Sequence, residues 1–328
     1  MKICSPMSTG NGAFIVHKQL ASCLDGYSVY PYHPNFTLFP PFLPLLNCKQ
    51  ADIIHTTPDY GIFFKKRNSR LVLSFHNYVL DRFMNDYSSF LQKLHYRTDL
   101  KLFTRLSLQR ADILTAVSHF TADLVKQDMG LNQDIRVIYN GIDESLFVPA
   151  KSSDNKSVIT VLFSGNTSAR KGFDFLPKLL PYLNNNIRIL YTTGLRNKHP
   201  AKISEKMVDV GSIPHRDMPA LYQQADILIF PSIREGFGLS VAEAMSCGLP
   251  VVAFNTSSLP ELIDHKYGGY LTDIHDVRMF ADYVNILAES HSLRRDMGDY
   301  NREKVERKFA RSRMIGDYRH LFEEVITL

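Results

Sequence analysis

The segment from Ile227 to Phe254 is compatible with very few folds. Ile227 to Phe230 is a short apolar run with the length of a buried strand. A loop carrying Gly236 and Gly238 follows, then an amphipathic helix near Leu239–Cys247, then a second apolar run, Val251–Phe254. Gly248 stands where a helix C-terminal cap belongs, and Pro250 prevents continuation. A strand, a glycine loop, a helix and another strand in so little chain form a parallel α/β unit, because parallel strands need a crossover.

The same alternation recurs along the 328 residues, a length that suggests two domains. In the first half, strands are expected at Ala51–His55, Leu71–Phe75, Ile113–Ala116 and Arg136–Ile138. In the second they are expected at Val158–Phe163, Ile187–Tyr191, Ile227–Phe230 and Val251–Phe254. Each half opens with strand, glycine-bearing loop and helix. The loops are Ser8-Thr9-Gly10-Asn11-Gly12 and Ser164 to Gly172. The short polar stretch from Ala150 to Lys156 reads as the linker. Two Rossmann-like domains facing each other would bind a ligand at the carboxyl ends of their sheets.

Bulk properties exclude other classes. Hydrophobic residues at 45% and charged residues at 22% fit a soluble globular chain. The N-terminus lacks the apolar run of a signal peptide, and no stretch of about 18 apolar residues suggests a spanning helix. A net charge of +5 suits anionic small molecules or a membrane surface and does not call for nucleic acid. Cys4, Cys23, Cys48 and Cys247 are widely spaced without a C-x-x-C, which predicts free thiols in a reducing compartment. No His-Glu-x-x-His or Asp-x-Asp in a plausible loop predicts a metal.

The chemistry concentrates in Pro231-Ser-Ile-Arg-Glu-Gly-Phe-Gly-Leu-Ser-Val-Ala-Glu243. Gly236 and Gly238 let the backbone approach a ligand, and the helix N-terminus near Leu239 favours phosphate. Glu235 before the helix and Glu243 about a turn inside it can point into one pocket. Carboxylates beside a phosphate site make sense when they bind hydroxyls, and a nucleotide-sugar supplies both. Two glutamates at this spacing alone carry little weight, since a plain α/β loop with surface glutamates would show them too.

The whole string resembles the signature of glycosyltransferase family 4, the retaining GT-B group. Further resemblances lie in order. They are Arg136-Val-Ile-Tyr-Asn-Gly-Ile-Asp-Glu-Ser-Leu-Phe147, Arg170-Lys171-Gly172, Val210-Gly-Ser-Ile, Leu221 to Ser232 and Leu259-Pro-Glu-Leu-Ile263. Leu73-Ser-Phe-His-Asn77 and Ala116-Val-Ser118 match weaker N-terminal elements. The resemblance implies an acceptor-binding domain over 1–149, completed by a C-terminal helix within 313–328, and a donor-binding domain over 150–312. It implies that Glu243 bonds the donor ribose and that Glu235 contacts the transferred sugar. Backbone amides around Gly236, Phe237, Gly238 and Leu239 would meet sugar and diphosphate, and Lys171 would neutralise the diphosphate. Gly12 would touch the phosphates from the N-terminal loop, and His76 would sit near the reacting sugar. A satisfied histidine at a strand end is the plainer reading of His76.

One departure stands out. The family usually has Gly-Arg after the first strand of the second domain, where this chain has Gly165-Asn166. Arg170 is the expected substitute. The implied reaction moves a sugar from a UDP- or GDP-sugar to a hydroxyl of a saccharide or lipid-linked acceptor. It needs no metal or other cofactor, retains configuration and fits cell-surface polysaccharide or glycolipid synthesis. The alternatives are a GT-B epimerase or phosphorylase, and a non-catalytic nucleotide-sugar-binding partner.

Two segments concern partners. Lys93, Arg97, Lys101 and Arg105 recur every four residues, with Phe90, Leu94, Leu102, Phe103 and Leu106 as apolar neighbours. One continuous helix would place the four cations on a slowly drifting face suited to anionic lipid; a solvated surface helix is the alternative. Ile62-Phe-Phe-Lys-Lys-Arg67 repeats the theme. The expected location is the cytoplasm, peripheral to the inner face of a membrane. The Phe36–Leu46 stretch, stiffened by Pro40, Pro41 and Pro44, reads as a buried crossing segment, with the acceptor cleft or a bilayer surface as alternatives.

Overall fold

The computed structural model describes residues 1–45, 51–150, 157–193 and 204–328. It divides into two compact units, Met1–Gly141 with Ser312–Leu328 (unit 1) and Ile142–Arg311 (unit 2). Beyond Ala150, the expected linker lies outside the described residues, as does Cys48.

Unit 1 holds strands β1 (Ile3–Ser8), β2 (Tyr27–Tyr32), β3 (Ile53–Thr56), β4 (Arg70–Phe75), β5 (Ile113–Ala116) and β6 (Ile135–Val137). They form one parallel sheet in the order β2-β1-β3-β4-β5-β6. Unit 2 holds β7 (Ile159–Phe163), β8 (Ile187–Thr192), β9 (Met207–Gly211), β10 (Ile227–Phe230), β11 (Val251–Phe254) and β12 (Gly269–Thr272). Its parallel sheet runs β12-β11-β10-β7-β8-β9. Read from β9, that is the Rossmann order 3-2-1-4-5-6.

Central strands are buried on both faces: β3, β7, β10 and β11 carry no exposed residue. β10 and β11 read as continuous apolar runs, as such strands do, whereas β3 buries His55 and Thr56 among its apolar residues. The strands that escaped the sequence reading, β2, β9 and β12, are all sheet edges. Edges need less apolar surface and tolerate proline, as at Pro31 within β2.

Chain reversals in strand order set where ligands dock. In unit 2, order reverses between β7 and β10, whose carboxyl ends open a crevice between diverging loops. In unit 1, the corresponding point lies between β1 and β3. After β1, Asn11 caps the helix Gly12–Cys23, its Oδ1 accepting from the Phe14 amide at 2.8 Å. The C-terminal helix Arg311–Thr327 carries Glu324, which accepts two bonds from the Arg136 guanidinium at 2.8 and 3.0 Å.

Three expectations need correction. The basic stripe is not one continuous α-helix. A helix Phe90–His95 passes through a π turn, Tyr96–Leu100, into a second helix, Lys101–Arg110. The wider turn adds a residue and rotates the later side chains off the four-residue spacing. The Phe36–Leu45 stretch is not a buried crossing. It forms two 3-10 turns, Pro34–Leu38 and Pro40–Leu45. Only Pro40 and Leu43 are buried, while Leu38, Phe39 and Leu45 are 65–75% exposed. Finally, Cys23 and Cys247 are free thiols but Cys4 is disulfide-bonded. Linear spacing does not reveal which cysteines a fold brings within bonding distance.

Candidate functional site

The loops at the reversal point of unit 2 carry most of the residues singled out in the sequence. After β7, the loop containing Asn166 tightens into a 3-10 turn at Ala169–Lys171 and leaves through Gly172. Gly172 has φ 79°, and a Cβ there would lie 2.1 Å from the Pro231 carbonyl oxygen. A glycine is therefore what lets the β7 loop lie against the β10 loop. The Arg170 carbonyl accepts from the Ile233 amide at 3.1 Å, so the two loops are also joined through their backbones.

Lys171 and Glu235 meet across this junction. The Lys171 ammonium donates to Glu235 Oε1 at 2.5 Å, and the Ser232 hydroxyl donates to the same oxygen at 2.6 Å. Glu235 is only 8% exposed. Burial pushes its carboxyl up, but the charges of Lys171 and Arg170, with the bonds from Lys171 and Ser232, outweigh burial and hold it below the ordinary glutamate value. The buried group is thus an ionised, hydrogen-bonded carboxylate at neutral pH.

Arg170 donates from Nη1 to the Arg234 carbonyl at 2.7 Å, which fixes its guanidinium beside the loop that carries Glu235. Asn166 turns back on its own loop: its Oδ1 accepts from the Ser168 amide at 3.2 Å and hydroxyl at 2.6 Å. Asn166 thus serves as a turn former, and Arg170 and Lys171 are the cations that the β7 loop presents.

The signature loop is pinned from below. The Glu235 amide donates to Ser257 Oγ at 3.1 Å, and the Ser258 hydroxyl donates to the Phe237 carbonyl at 2.9 Å. Gly236, Phe237 and Gly238 then lead into the helix Leu239–Ser246. Gly238 caps it in the left-handed region at φ 102°, without a side-chain cap. No side chain caps the amides of Leu239 and Ser240, which leaves them to an anion, while the Val241 amide bonds to the Gly238 carbonyl at 2.9 Å.

Glu243, one turn in, is 6% exposed. Its Oε2 accepts from the Tyr222 hydroxyl at 3.0 Å and its Oε1 pairs with His215 Nε2 at 2.8 Å. The bond to Glu243 raises the His215 pKa against the opposing effect of burial. Tyr222 is also bonded to Ser164 Oγ at 3.1 Å, and the Phe147 ring lies 5.5 Å from His215. Glu235 and Glu243 therefore have separate neighbours, cationic for one and aromatic for the other. A carboxylate has about four lone-pair sites, so both keep capacity for ligand hydroxyls.

Sequence reasoning missed His215, Tyr222, Ser232 and Ser164. Tyr222 and Ser232 lie within the strings singled out above but were given no role there, and only the fold brings His215 and Tyr222, with Ser164 behind it, to Glu243. Gly12 and His76 belong to unit 1, Gly12 at the start of the helix after β1 and His76 just past β4. Among the described residues, no group of three His, Cys, Asp or Glu is arranged to hold a metal ion.

Comparison with known proteins identifies the family and the fold. The family model described as glycosyl transferases group 1 matches residues 146–304, and that of Glycosyltransferase Family 4 matches 23–146. N-acetyl-alpha-D-glucosaminyl L-malate synthase of Bacillus anthracis is 24% identical over 68% of this chain, which spans 62% of that relative's length. An uncharacterized 41.2 kDa protein of the cps region of Klebsiella pneumoniae is 25% identical over 88% of this chain and 83% of its own. Among solved structures, sucrose-phosphate synthase from Thermosynechococcus elongatus superposes with a TM-score of 0.84 at 17% identity, covering 100% of this chain and 99% of that one. Anabaena HepE in complex with UDP and glucose gives 0.80 at 19%, covering 98% and 99%. The chain belongs to glycosyltransferase family 4 and is a GT-B glycosyltransferase built on two Rossmann-like domains.

Proposed function

We propose that the chain is a retaining, metal-independent hexosyltransferase. It moves a sugar from a UDP- or GDP-sugar to a hydroxyl of a saccharide or lipid-linked acceptor, in cell-surface polysaccharide or glycolipid synthesis. The observation that carries this reading is the Lys171–Glu235 pair, with its carboxylate buried, beside the Gly238-capped helix. It combines cations and amides for a diphosphate with a carboxylate for sugar hydroxyls. The UDP and glucose named with HepE, and the hexosamine in the malate synthase's name, support the same donor class.

In this reading unit 2 holds the donor. Glu243 takes ribose hydroxyls and Glu235 takes hydroxyls of the transferred sugar. Arg170, Lys171 and the amides around Gly236, Phe237, Gly238 and Leu239 stabilise the diphosphate as the glycosidic bond breaks. Charge stabilisation of this kind is worth about 3–4 kcal/mol per well-placed donor. The acceptor hydroxyl forms the new bond on the same face, and its proton passes to the departing phosphate. Unit 1 binds the acceptor, with His76 orienting a sugar hydroxyl and Gly12 contributing an amide.

The acceptor side is assigned to an anionic membrane surface. Phe36, Leu38, Phe39, Phe42 and Leu45 are exposed, as are Phe90, Leu91, Leu94 and Leu102, with Arg97 and Arg105 beside the latter group. The Pro40–Leu45 turn touches the Gly61–Phe63 turn, which touches the helix Lys101–Arg110, so these segments are neighbours. No described helix is long and apolar enough to cross a membrane, and the reading is peripheral binding.

The test is release of UDP or GDP from a panel of nucleotide-sugars, with and without EDTA, for the wild type and Glu235→Gln. Slow release that EDTA leaves unchanged and Glu235→Gln abolishes is expected. Donor binding with no turnover on any donor and acceptor pair would favour the non-catalytic partner instead.

A further inference from the structure

Unit 1 links two buried histidines and the half-buried His76 in one hydrogen-bonded chain, and the assigned roles use only one of them. His17 comes from the helix Gly12–Cys23, His55 from β3 and His76 from the turn after β4. His17 Nε2 lies 3.0 Å from His76 Nε2. His17 Nδ1 lies 2.8 Å from the Tyr27 hydroxyl and 2.7 Å from Ser5 Oγ. The same Tyr27 hydroxyl lies 2.7 Å from His55 Nδ1, and His55 Nε2 lies 2.6 Å from Ser74 Oγ. Ser74 continues to Thr115 at 2.6 Å and to Tyr318 of the C-terminal helix at 3.2 Å.

Burial holds all three imidazoles below the ordinary histidine pKa, that of His76 at about 4. The rings are therefore neutral, with one donor nitrogen and one acceptor nitrogen each. This makes the chain directional. The Tyr27 hydroxyl has one proton, so it donates to His55 or to His17 but not to both. If it donates to His55, His17 Nδ1 carries a proton toward Tyr27, His17 Nε2 accepts, and His76 donates from Nε2. His76 Nδ1 is then an acceptor. If Tyr27 donates to His17, every step reverses and His76 Nδ1 carries the proton. A third arrangement, in which Tyr27 donates to Ser5 and accepts from both imidazoles, leaves His17 and His76 as in the first; mixed arrangements within the His17–His76 pair would set two lone pairs or two protons face to face.

His76 Nδ1 is the end of this chain. It is buried, and among the described residues it has no hydrogen-bond partner. An unsatisfied buried polar atom is costly unless something else uses it. We propose that His17 is a positioning residue which, backed by Tyr27 and His55, fixes the ring of His76 and the nitrogen that carries its proton, so that Nδ1 is presented to a sugar hydroxyl in one hydrogen-bonding sense. The part concerning the sugar rests on the assignment of His76 above; the locking of the ring does not.

The two parts are tested separately on the full-length protein labelled with 15N-histidine. Two-bond 1H–15N spectra report the tautomer of each neutral ring, and His76 is identified by its loss in His76→Ala. A single tautomer is expected for His76 in the wild type. In His17→Ala and in the milder Tyr27→Phe, whose ring still fills its site, the His76 nitrogens move to averaged positions. His17→Gln, whose amide both donates and accepts, restores a single tautomer. In turnover assays, His17→Ala lowers kcat about 10- to 100-fold with little change in donor KM, and His17→Gln recovers most of it. An averaged tautomer in the wild type, or a single one surviving both His17→Ala and Tyr27→Phe, overturns the locking. A locked tautomer together with full turnover in His76→Ala overturns the placement at the sugar.

Discussion

Replacing Lys171 with methionine keeps the aliphatic stem and removes the charge that faces Glu235. The carboxylate then keeps the Ser232 hydroxyl at 2.6 Å and the nearby charge of Arg170, but loses its 2.5 Å partner while staying 8% exposed. Removing one member of a buried pair costs about 3–5 kcal/mol. With Ser232 and Arg170 left in place, the expected loss is about 2 kcal/mol at pH 7. For a domain of this size that corresponds to a fall in Tm of about 4–8 °C. The pH dependence has a definite sign. In the wild type, Glu235 titrates below the ordinary glutamate value, so its contribution is present above that value and is lost as pH falls through the lowered one. In the variant, burial is opposed by fewer favourable contacts and the carboxyl moves up. The stability gap between the two proteins is therefore widest near neutrality and narrows toward pH 4. Urea titrations of wild type, Lys171→Met, Glu235→Gln and the double variant at steps between pH 7.5 and pH 4 measure both the gap and the coupling energy. A gap independent of pH, or a coupling near zero, would refute the reasoning. Nucleotide release by Lys171→Met should fall about 10²- to 10³-fold.

Three further outcomes follow from the geometry. Glu243→Gln should weaken donor binding about tenfold or more, read by isothermal titration. It should also lower the His215 pKa, because the bond to Glu243 is the main cause that raises it. A histidine with a raised pKa stabilises most at pH values below its ordinary one, so the stability gap to wild type should be larger at pH 6 than at pH 8.5. Gly172→Ala places a methyl 2.1 Å from the Pro231 carbonyl oxygen at φ 79°, and a loss of about 2 kcal/mol or more in urea stability is expected, with donor affinity reduced in the remaining folded protein. Replacing Phe39 and Phe42, 65% and 57% exposed, with serine should reduce sedimentation with anionic vesicles while leaving urea stability within about 0.5 kcal/mol.

The candidate site residues stood out in the sequence because they sit at fixed offsets from one strand end. Glu235, Gly236, Gly238 and Glu243 all count from Phe230, and Lys171 and Gly172 follow the β7 strand in the same way. Their partners were not legible. His215 precedes an unremarkable short helix, Met218–Gln224, and Tyr222 lies within it, yet both close on Glu243. His17 looks like one polar residue on an amphipathic helix. Its meaning depends on Tyr27, His55 and His76, which come from three other elements. The exposed 36–45 turns were misread for a related reason. Prolines and apolar residues look alike whether the chain crosses the interior or lies on the surface, and only the neighbouring elements decide between the two.

The sequence by itself determined the class of fold, the central strands and the candidate residues of the glycine loop after β10. Apolar periodicity, glycine and proline act locally, and a strand-to-helix loop carries its chemistry within a dozen residues. The tertiary structure alone decided which groups answer those residues. It set Arg170 beside the signature loop. It paired Cys4 and linked three histidines behind His76. Each depends on contacts between residues far apart in the chain, and those contacts are set by strand order and packing, which local pattern does not encode.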